Sequence, residues 1–414
     1  MQHSGQIGNE RLRRALARRP AGRRSSAAPA WRALLLAALL FLSQATAAAS
    51  PACRAPWPLW ELLTQHYLSD DGRIIDDAVA TQHSTSESQS YGMFFALVAN
   101  DRQRFDLIWE WSLNNLLDGE LNDALPAWQW GLRDDGEWGV LDGNAASDAN
   151  LWFSYALLEA GRLWSNPGYT QQGLRLARLV AEQEWVELPG FGPQLLPGPT
   201  GFFDEAAMLW RLNPSYLVIP QLRLLARLDP AHDWQGLAAG TLDMIRTVSP
   251  RGLAPDWTAY HQMAEGQSGF VVDPVTGDIG SYDAIRTYLW AGLIDDSDPI
   301  ARPLRHALYG MTAIARRSGG VPEKVSTLTG ASQGMGPAGF EAALLPLWAT
   351  TGQYDLLNSR VPALRARFEY WSLSGAPRPA YYDMMLAMFG LGWYDQHYRF
   401  AADGSLLTRW ENSC

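Results

Sequence analysis

Apolar residues recur at three- and four-residue intervals along most of the chain, which is the pattern of helices that bury one face. Segment 151–164, LWFSYALLEAGRLW, is apolar on nearly all sides, as expected of a helix buried all round. The next segment, 171–182, is amphipathic with its arginines on one face. The periodicity predicts helices at 57–68, 87–99, 101–117, 147–164, 168–185, 214–228, 232–247, 281–293, 298–317, 338–351, 353–370 and 380–394.

This alternation predicts two concentric layers of helices in an all-α fold, with an (α/α)6 barrel of six inner and six outer helices as the leading architecture. Connections 119–145 and 249–279 are longer than the others and rich in Gly, Asp and Trp, and segment 269–272 is strand-like. Long irregular connections are often functional. We therefore expect them to gather at one end of the barrel, with a few short strands among them.

The first 47 residues differ in character from the rest. Arginines precede an apolar run from Ala33 to Leu42, and Ala45-Thr46-Ala47 fits a cleavage site, so residues 1–47 are predicted to be a signal peptide with a long basic lead. So short a run cannot cross about 30 Å of hydrocarbon. We expect export to the periplasm, or to the extracellular space, without stable membrane insertion. Residues 48–56 would begin the mature chain, and 57–414 would form one domain because no linker interrupts them.

Cysteine occurs only at Cys53 and Cys414, near the two ends of the predicted mature chain. In an oxidising compartment these residues can form a disulfide that joins the termini, and an even cysteine count in an exported chain favours this pairing. The simple chain-entropy model gives a loop of this length about 4–5 kcal/mol of stabilisation. The alternative is a pair of free thiols.

The net charge of the predicted mature chain limits the classes of molecule that it is expected to bind. Residues 1–47 contain eight arginines and one acidic residue, so the net charge of −10 for the whole chain becomes −17 for the mature chain. Such a body should repel nucleic acid and anionic lipid, and a neutral substrate suits it better. The seven histidines are scattered without metal-ligand spacing, so we expect neither a metal nor a cofactor. We also expect a monomer.

Two glycine patterns imitate catalytic motifs. Residues 330–334 read G-x-S-x-G and residues 334–339 read G-x-G-x-x-G. A nucleophile elbow or a dinucleotide site needs strand–helix units around such patterns, and the sequence predicts none there. Both patterns therefore predict only a loop that leads into the helix near 338.

Three acidic residues stand at predicted helix starts beside aromatic residues: Glu87 in SESQSYG, Asp148 in AASDANLW and Asp283 in SYDAIRTYLW. Taken singly, each is typical of a first turn, where the helix dipole stabilises negative charge. Ser84-x-x-Glu87 also fits a reciprocal capping box. In a helical barrel, however, the starts of inner helices converge at one mouth, so the three acids can share a cleft.

Tryptophan supports a cleft that binds sugar. Several of the 19 tryptophans fall in predicted loops: Trp128, Trp130, Trp138 and Trp257. Exposed indole faces suit the apolar faces of pyranose rings, although ordinary packing is the alternative for each of them. Paired carboxylates are what cleavage of a glycosidic bond requires, because one protonates the leaving oxygen while the other activates water or attacks the sugar.

Four ordered motifs, STSESQSYGMFFAL, AASDANLWFSYALLEAGRLW, NPSYLVIP and SYDAIRTYLW, closely resemble those of glycoside hydrolase family 8. Within the family, the chain most resembles the periplasmic endoglucanases that accompany bacterial cellulose synthase. The resemblance covers essentially the whole predicted mature chain. It implies an (α/α)6 barrel that cleaves β-1,4-glucan such as cellulose internally with inversion at the anomeric carbon. The cellulose synthesis and export machinery is then an expected partner.

The resemblance also assigns roles by position. Glu87 matches the general acid of the family, and Asp283 matches the base that takes a proton from water. Asp148 matches an aspartate that contacts the central sugar and has also been regarded as the second catalytic carboxylate. The remaining matches are to residues that position the base, the water and the sugar, or that stack on it: Tyr216, Arg286, and Trp130 or Trp128.

Two residues depart from the motifs. Ser88 stands where the family mostly has Gly, and it would strain a backbone with positive φ. Asn150 stands where the family mostly has Asp, and a charge needed for catalysis would then be missing. A protein that binds glucan without cleaving it is therefore one alternative. A polysaccharide lyase on a similar barrel is another, although three acids and the net charge oppose a uronic acid substrate.

The inverting mechanism predicts the distance between two carboxyl groups. The carboxyl groups of Glu87 and Asp283 should lie about 6.5–9.5 Å apart, because a water molecule must fit between the base and the sugar. A separation near 5 Å would indicate retention of configuration instead.

Overall fold

The computed structural model describes residues 56–263 and 266–412, which all belong to one compact unit. The predicted signal peptide, residues 48–55, Cys53 and Cys414 lie outside the described residues, so the predictions about them stay predictions. No helix in the described ranges is long and apolar enough to span a bilayer.

The described chain is mostly helical with short strands, which confirms the predicted fold class at this level. Its α-helices are α1 Pro58–His66, α2 Ser86–Val98, α3 Arg102–Leu116, α4 Ser147–Leu163, α5 Pro167–Gln183, α6 Ile219–Leu228, α7 Trp234–Val248, α8 Ala284–Leu293, α9 Ala301–Ala307, α10 Tyr309–Ser318, α11 Ala338–Ala343, α12 Leu345–Thr350, α13 Tyr354–Phe368, α14 Trp371–Ser374 and α15 Tyr381–Tyr394.

Fourteen short strands occupy the connections of the described chain, which is more than predicted. They are β1 Ser84–Thr85, β2 Gln129–Leu132, β3 Trp138–Asp142, β4 Trp185–Leu188, β5 Gly192–Leu195, β6 Phe203–Asp204, β7 Leu209–Leu212, β8 Thr258–Gln262, β9 Ser268–Val272, β10 Ile279–Gly280, β11 Lys324–Ser326, β12 Ser332–Gln333, β13 Tyr398–Phe400 and β14 Leu406–Thr408. They form antiparallel sheets β1-β2-β3, β4-β5, β6-β7-β8-β9, β10-β11-β12 and β13-β14.

Helices buried on all sides alternate along the chain with helices buried on one face. Helices α2, α4, α8 and α15 are almost wholly buried, whereas α3, α5, α7 and α13 expose a polar face. The order of the two kinds of helix follows the predicted order of apolar and amphipathic segments.

An aromatic cluster joins the buried helices. The ring of Phe389 on α15 lies 5.5 Å from Phe94 of α2, 5.2 Å from Trp152 of α4 and 5.1 Å from Trp290 of α8, measured between centroids. Such aromatic pairs bury large apolar areas in fixed geometry. At Gly390 an added Cβ would meet Ala342 O at 1.9 Å, so a glycine is needed where α15 packs on α11.

Three predicted helices are interrupted. Pro220 removes a backbone donor inside the predicted helix 214–228, so a 3-10 turn, Pro214–Tyr216, precedes a helix that starts at Ile219. Pro346 separates α11 from α12 in the same way. Helix 298–317 breaks before α10, where Gly310 N donates to Gly252 O. The glycine-rich segment 330–337 forms the predicted loop into α11, except that Ser332–Gln333 pair with β11 as strand β12.

Candidate active site

Glu87 lies in the first turn of α2 but does not cap this helix. Thr85 Oγ1 accepts a hydrogen bond from Ser88 N at 3.0 Å, and Ser88 Oγ accepts one from Thr85 N at 3.0 Å. These bonds complete a reciprocal capping box. The predicted box between Ser84 and Glu87 is therefore wrong by one residue, and the carboxylate of Glu87 is free to face the other acids.

The guanidinium of Arg286 brings the three predicted acids together. Nη1 donates to Glu87 Oε2 at 2.6 Å, and Nη2 donates to Asp283 Oδ1 at 3.0 Å. Nη2 also lies 3.7 Å from Asp148 Oδ2. The acids belong to the starts of α2, α4 and α8, so the N-terminal ends of three buried helices meet at this cation.

One planar guanidinium limits how far apart two of these carboxylates can be. Because the contacting oxygens of Glu87 and Asp283 bind neighbouring nitrogens of Arg286, the two oxygens lie at most about 8 Å apart. This limit admits separations of about 6.5–8 Å, which inverting enzymes use, and also the roughly 5 Å of retaining enzymes. The separation itself stays a prediction.

A second group of contacts fixes Arg286 in the site. Its Nη2 donates to Ser215 Oγ at 3.1 Å, and Asn213 Oδ1 accepts from both the backbone and the hydroxyl of Ser215. Trp290 Nε1 donates to Ser215 O at 2.8 Å. Tyr216 follows in the same turn, with its ring centroid 5.8 Å from the Arg286 guanidinium carbon. The structure thus brings Tyr216 and Arg286 to the acids.

Burial and mutual repulsion govern protonation in this cluster. Burial raises the pKa of Glu87 above its ordinary value; Arg286 opposes this rise, and the charge of Asp283 adds to it. Burial, followed by the charge of Glu87, raises the pKa of Asp148 to about 7. One guanidinium cannot balance three negative charges. The cluster therefore holds a proton near neutral pH.

Replacing Asp148 with Asn is expected to stabilise the protein at pH 8 by about 1–3 kcal/mol, because a buried group that resists ionisation is removed. An unfolded Asp ionises near pH 4, so between about pH 4 and 7 the folded state holds the extra proton. Wild-type stability therefore falls as pH rises through this window, and the advantage of the variant should vanish by pH 4. Urea unfolding at pH 4, 6 and 8 measures this difference. An equal difference at every pH would contradict the prediction.

The predicted stacking residues lie on the strand hairpin beside α2. Trp130 on β2 pairs with Ser84 in register, and the carbonyl of Trp128 accepts from Ser86 N at the start of α2. The ring of Trp130 is flanked by Trp138, with centroids 5.5 Å apart, and by the Arg73 guanidinium at 4.6 Å. Trp138 is the more open ring, with 44% of its surface exposed.

A cavity of about 180 Å³ lies beside Glu87. It is lined by Asp76, His83, Thr85, Glu87, Ser88, Tyr381 and Tyr382. In the described ranges no cluster of three or more His, Cys, Asp or Glu side chains is arranged to hold a metal ion. The expectation of a site without metal or cofactor stays a prediction.

Sequence reasoning missed two residues of the site. Trp257 Nε1 donates to Asp283 Oδ2 at 3.1 Å, and the neighbouring Asp256 accepts from the backbone at the start of α8. Trp257 was recognisable only as a tryptophan in a long loop. For Asp256 no sequence signal existed, because the backbone amides that it binds are distant in sequence.

Both departures from the motifs have a structural account. Ser88 lies in helical backbone, where it supplies half of the capping box, so it causes no strain from positive φ. The Nδ2 of Asn150 donates to buried Glu184 Oε1 at 3.0 Å. Burial raises the pKa of Glu184 well above its usual value, and the hydrogen bond from Asn150 opposes this rise. Neither substitution removes charge from the three acids.

The chain is similar to several known proteins over most of its length. It is 44% identical to an endoglucanase of Xanthomonas axonopodis pv. citri over 91% of this chain and 95% of that protein. It is 40% identical to an endoglucanase of Escherichia coli K12 over 89% of this chain and 95% of that protein. The crystal structure of an endo-1,4-D-glucanase from Vibrio fischeri superposes with a TM-score of 0.79 at 37% identity, covering 86% of this chain and all of the other.

The family assignment agrees with these relatives. The model of the glycosyl hydrolases family 8 matches residues 27–397, which include all three acids and Arg286. The family and enzyme class predicted from the motifs are thereby confirmed. On this match, and with relatives that align along nearly their entire length, the chain is a glycoside hydrolase that belongs to glycosyl hydrolase family 8.

Proposed function

We propose that the protein hydrolyses internal β-1,4-glucosidic bonds of cellulose or a related glucan with inversion of configuration. One observation carries the proposal: Glu87, Asp148 and Asp283 meet at the single cation Arg286. The relatives named endoglucanase support the substrate class. The partial exposure of Glu87 and Asp283, at 20% and 30% of their side chains, leaves both within reach of a ligand.

In the proposed reaction Glu87 acts as general acid. Its Oε2 faces Arg286, so its other oxygen carries the proton, which passes to the glycosidic oxygen as the bond from that oxygen to the anomeric carbon breaks. A raised pKa suits this role, because the acid must hold its proton until the bond cleaves.

Asp283 acts as general base on the opposite side of the sugar. Water forms the new bond to the anomeric carbon, and its proton passes to Asp283, whose oxygens are held by Arg286 and Trp257. Asp148 binds the central sugar, and the charge of Asp283 adds to the raised pKa of Glu87. Tyr216 borders the same sugar, and Trp130 or Trp128 provides a stacking surface further along the chain of sugars.

We also propose a barrel architecture and a periplasmic location for the protein. The alternation of buried and half-buried helices supports closure into an (α/α)6 barrel with the acids at its mouth. The arginine-rich leader supports export to the periplasm, where the enzyme would act on newly made cellulose beside the synthesis and export machinery. Degradation and quality control of the polymer are both compatible with this role.

Incubation with carboxymethyl-cellulose and cello-oligosaccharides, followed by NMR, tests the proposed function. We expect a rapid fall in polymer length with few small products at first, because cleavage is internal. The newly formed reducing ends should appear first as the α-anomer, since an inverting enzyme acts on a β-bond. Glucan binding with no new reducing ends would favour the binding protein, and unsaturated products would favour the lyase.

A further inference from the structure

Asp283 is held by two donors from different parts of the chain. Arg286 Nη2 donates to Oδ1 at 3.0 Å, and Trp257 Nε1 donates to Oδ2 at 3.1 Å. Together these donors define the orientation of the carboxylate plane. A base that must receive a proton from one water molecule benefits from such a fixed orientation.

Asp283 also occupies the N-cap position of α8 without capping it. An Asp at this position ordinarily accepts hydrogen bonds from the first backbone amides of its own helix. Here Ile285 N and Arg286 N donate to the backbone oxygens of Ser281 and Asp283 instead. Asp256 Oδ1 accepts from Ser281 N, which precedes the helix, at 2.7 Å and from Ala284 N, the first helical amide, at 2.8 Å. Asp256 therefore holds the backbone on both sides of Asp283, whose side chain makes no bond to its own helix start and faces the site.

The indole of Trp257 is fixed from its other sides. Phe202 stacks on it with centroids 5.8 Å apart and planes at 9°, and the Arg211 guanidinium lies 4.9 Å from the ring centroid. Arg211 is in turn held by two hydrogen bonds, of 2.7 and 3.1 Å, to buried Asp273. A ring packed in this way keeps its N–H aimed at Asp283.

We propose that the dipeptide Asp256-Trp257 positions the catalytic base: Asp256 holds the backbone on both sides of Asp283 at the start of α8, and Trp257 orients the carboxylate of Asp283. This inference rests on the proposed role of Asp283 as base. It adds two positioning residues that act on the reaction through Asp283.

Other titratable groups also face Asp283, and they set the background for any pH effect. They are Glu87 from α2, Asp148 from α4, Arg286 from α8, Tyr382 from α15, Tyr216 from the 3-10 turn, and Asp256. Burial, with a contribution from the charge of Asp283, raises the pKa of Asp256 to about 6. Trp257 does not titrate, so replacing it changes the hydrogen bond without adding or removing a charge.

Trp257→Phe isolates the effect of the indole donor, because the aromatic ring is kept. We expect the acidic limb of the kcat/KM profile to move to higher pH by about one unit, since the ionised base loses a hydrogen bond. The matched control is Trp185→Phe, which removes an indole bond of 2.9 Å to Glu187 away from the site and should leave the limb in place. A purely structural role for Trp257 would lower the thermal midpoint without moving the limb.

Asp256→Ala and Asp256→Asn separate the two backbone hydrogen bonds of Asp256 from its charge. Loss of these bonds should lower kcat about 10–100-fold, because small displacements of a base are costly. The Asn variant keeps an oxygen for both amides and should restore most of this loss. Asp233→Ala, which removes a side-chain cap of 2.8 Å on Gly236 at the start of α7, should retain kcat. Equal kcat in the Ala and Asn variants of Asp256 would overturn its role.

An NMR measurement on the substrate-free enzyme distinguishes a failure of this inference from a failure of the proposed function. The ¹⁵N–¹H resonance of the Trp257 indole, assigned by its loss in Trp257→Phe, should shift with pH in the free enzyme. This shift should become smaller in Asp283→Asn, where Asp256 still titrates. A wild-type enzyme that cleaves no glucan would refute the proposed function, whereas an indole resonance unaffected by Asp283→Asn would refute the positioning role.

Discussion

Glu87→Gln is expected to lower kcat/KM on β-1,4-glucan by about 10²–10⁴-fold, which is the usual contribution of a positioned general acid. Gln has the shape of Glu and can still accept a hydrogen bond from Arg286 Nη1, so glucan affinity should remain near that of the wild type. It cannot give a proton to the glycosidic oxygen. Reducing-end release measures the rate, and calorimetry with a cello-oligosaccharide measures affinity.

The choice of leaving group makes this test specific for the role of Glu87 as general acid. A substrate whose leaving group needs no proton, such as an aryl cellobioside, should lose much less rate in Glu87→Gln than cellulose does. The control is Glu159→Gln, which changes another arginine-bound glutamate, one that is only 1% exposed and lies 2.6 Å from Arg162. This variant should keep its activity. Equal losses on both substrates would remove Glu87 from the role of acid.

Arg286→Met is expected to abolish measurable hydrolysis and to destabilise the fold by about 3–5 kcal/mol at pH 7, the usual result of removing one partner from a buried ion pair. Arg286 is 6% exposed at its side chain and contacts all three acids. Without its charge, the pKa values of Glu87 and Asp148 should rise further above those of the unfolded chain. Stability should then fall as pH rises, so the loss is larger at pH 8 than at pH 5.

Urea unfolding at both pH values measures this loss. Arg223→Met is the matched control, because Arg223 is 10% exposed and binds buried Asp298 through two hydrogen bonds of 2.8 and 3.0 Å. The control should lose stability while the folded protein keeps its kcat. A pH-independent loss in Arg286→Met would contradict the charge balance described for the three acids.

Local sequence predicted the helices well. A helix buried on one face has apolar residues every three to four positions, and a helix buried on all sides is apolar nearly throughout. The segment 147–164 was predicted as a buried helix and occurs as α4, Ser147–Leu163. Errors arose at Pro220 and Pro346, where a missing backbone donor interrupts the period without erasing it. Strand pairs such as β7 with β8 were not predicted, since their partners lie far apart in sequence.

The sequence by itself determined the order of buried and amphipathic helices, the family and the three candidate acids, because periodicity and linear motifs are local properties. Tertiary structure alone decided that one guanidinium joins Glu87 and Asp283. It also decided that Thr85 and Ser88, rather than Glu87, cap α2, and that Asp256 binds the backbone on both sides of Asp283. Each of these outcomes depends on which hydrogen-bond donor reaches which oxygen after distant segments have packed together. The spacing of residues along the chain does not determine these pairings.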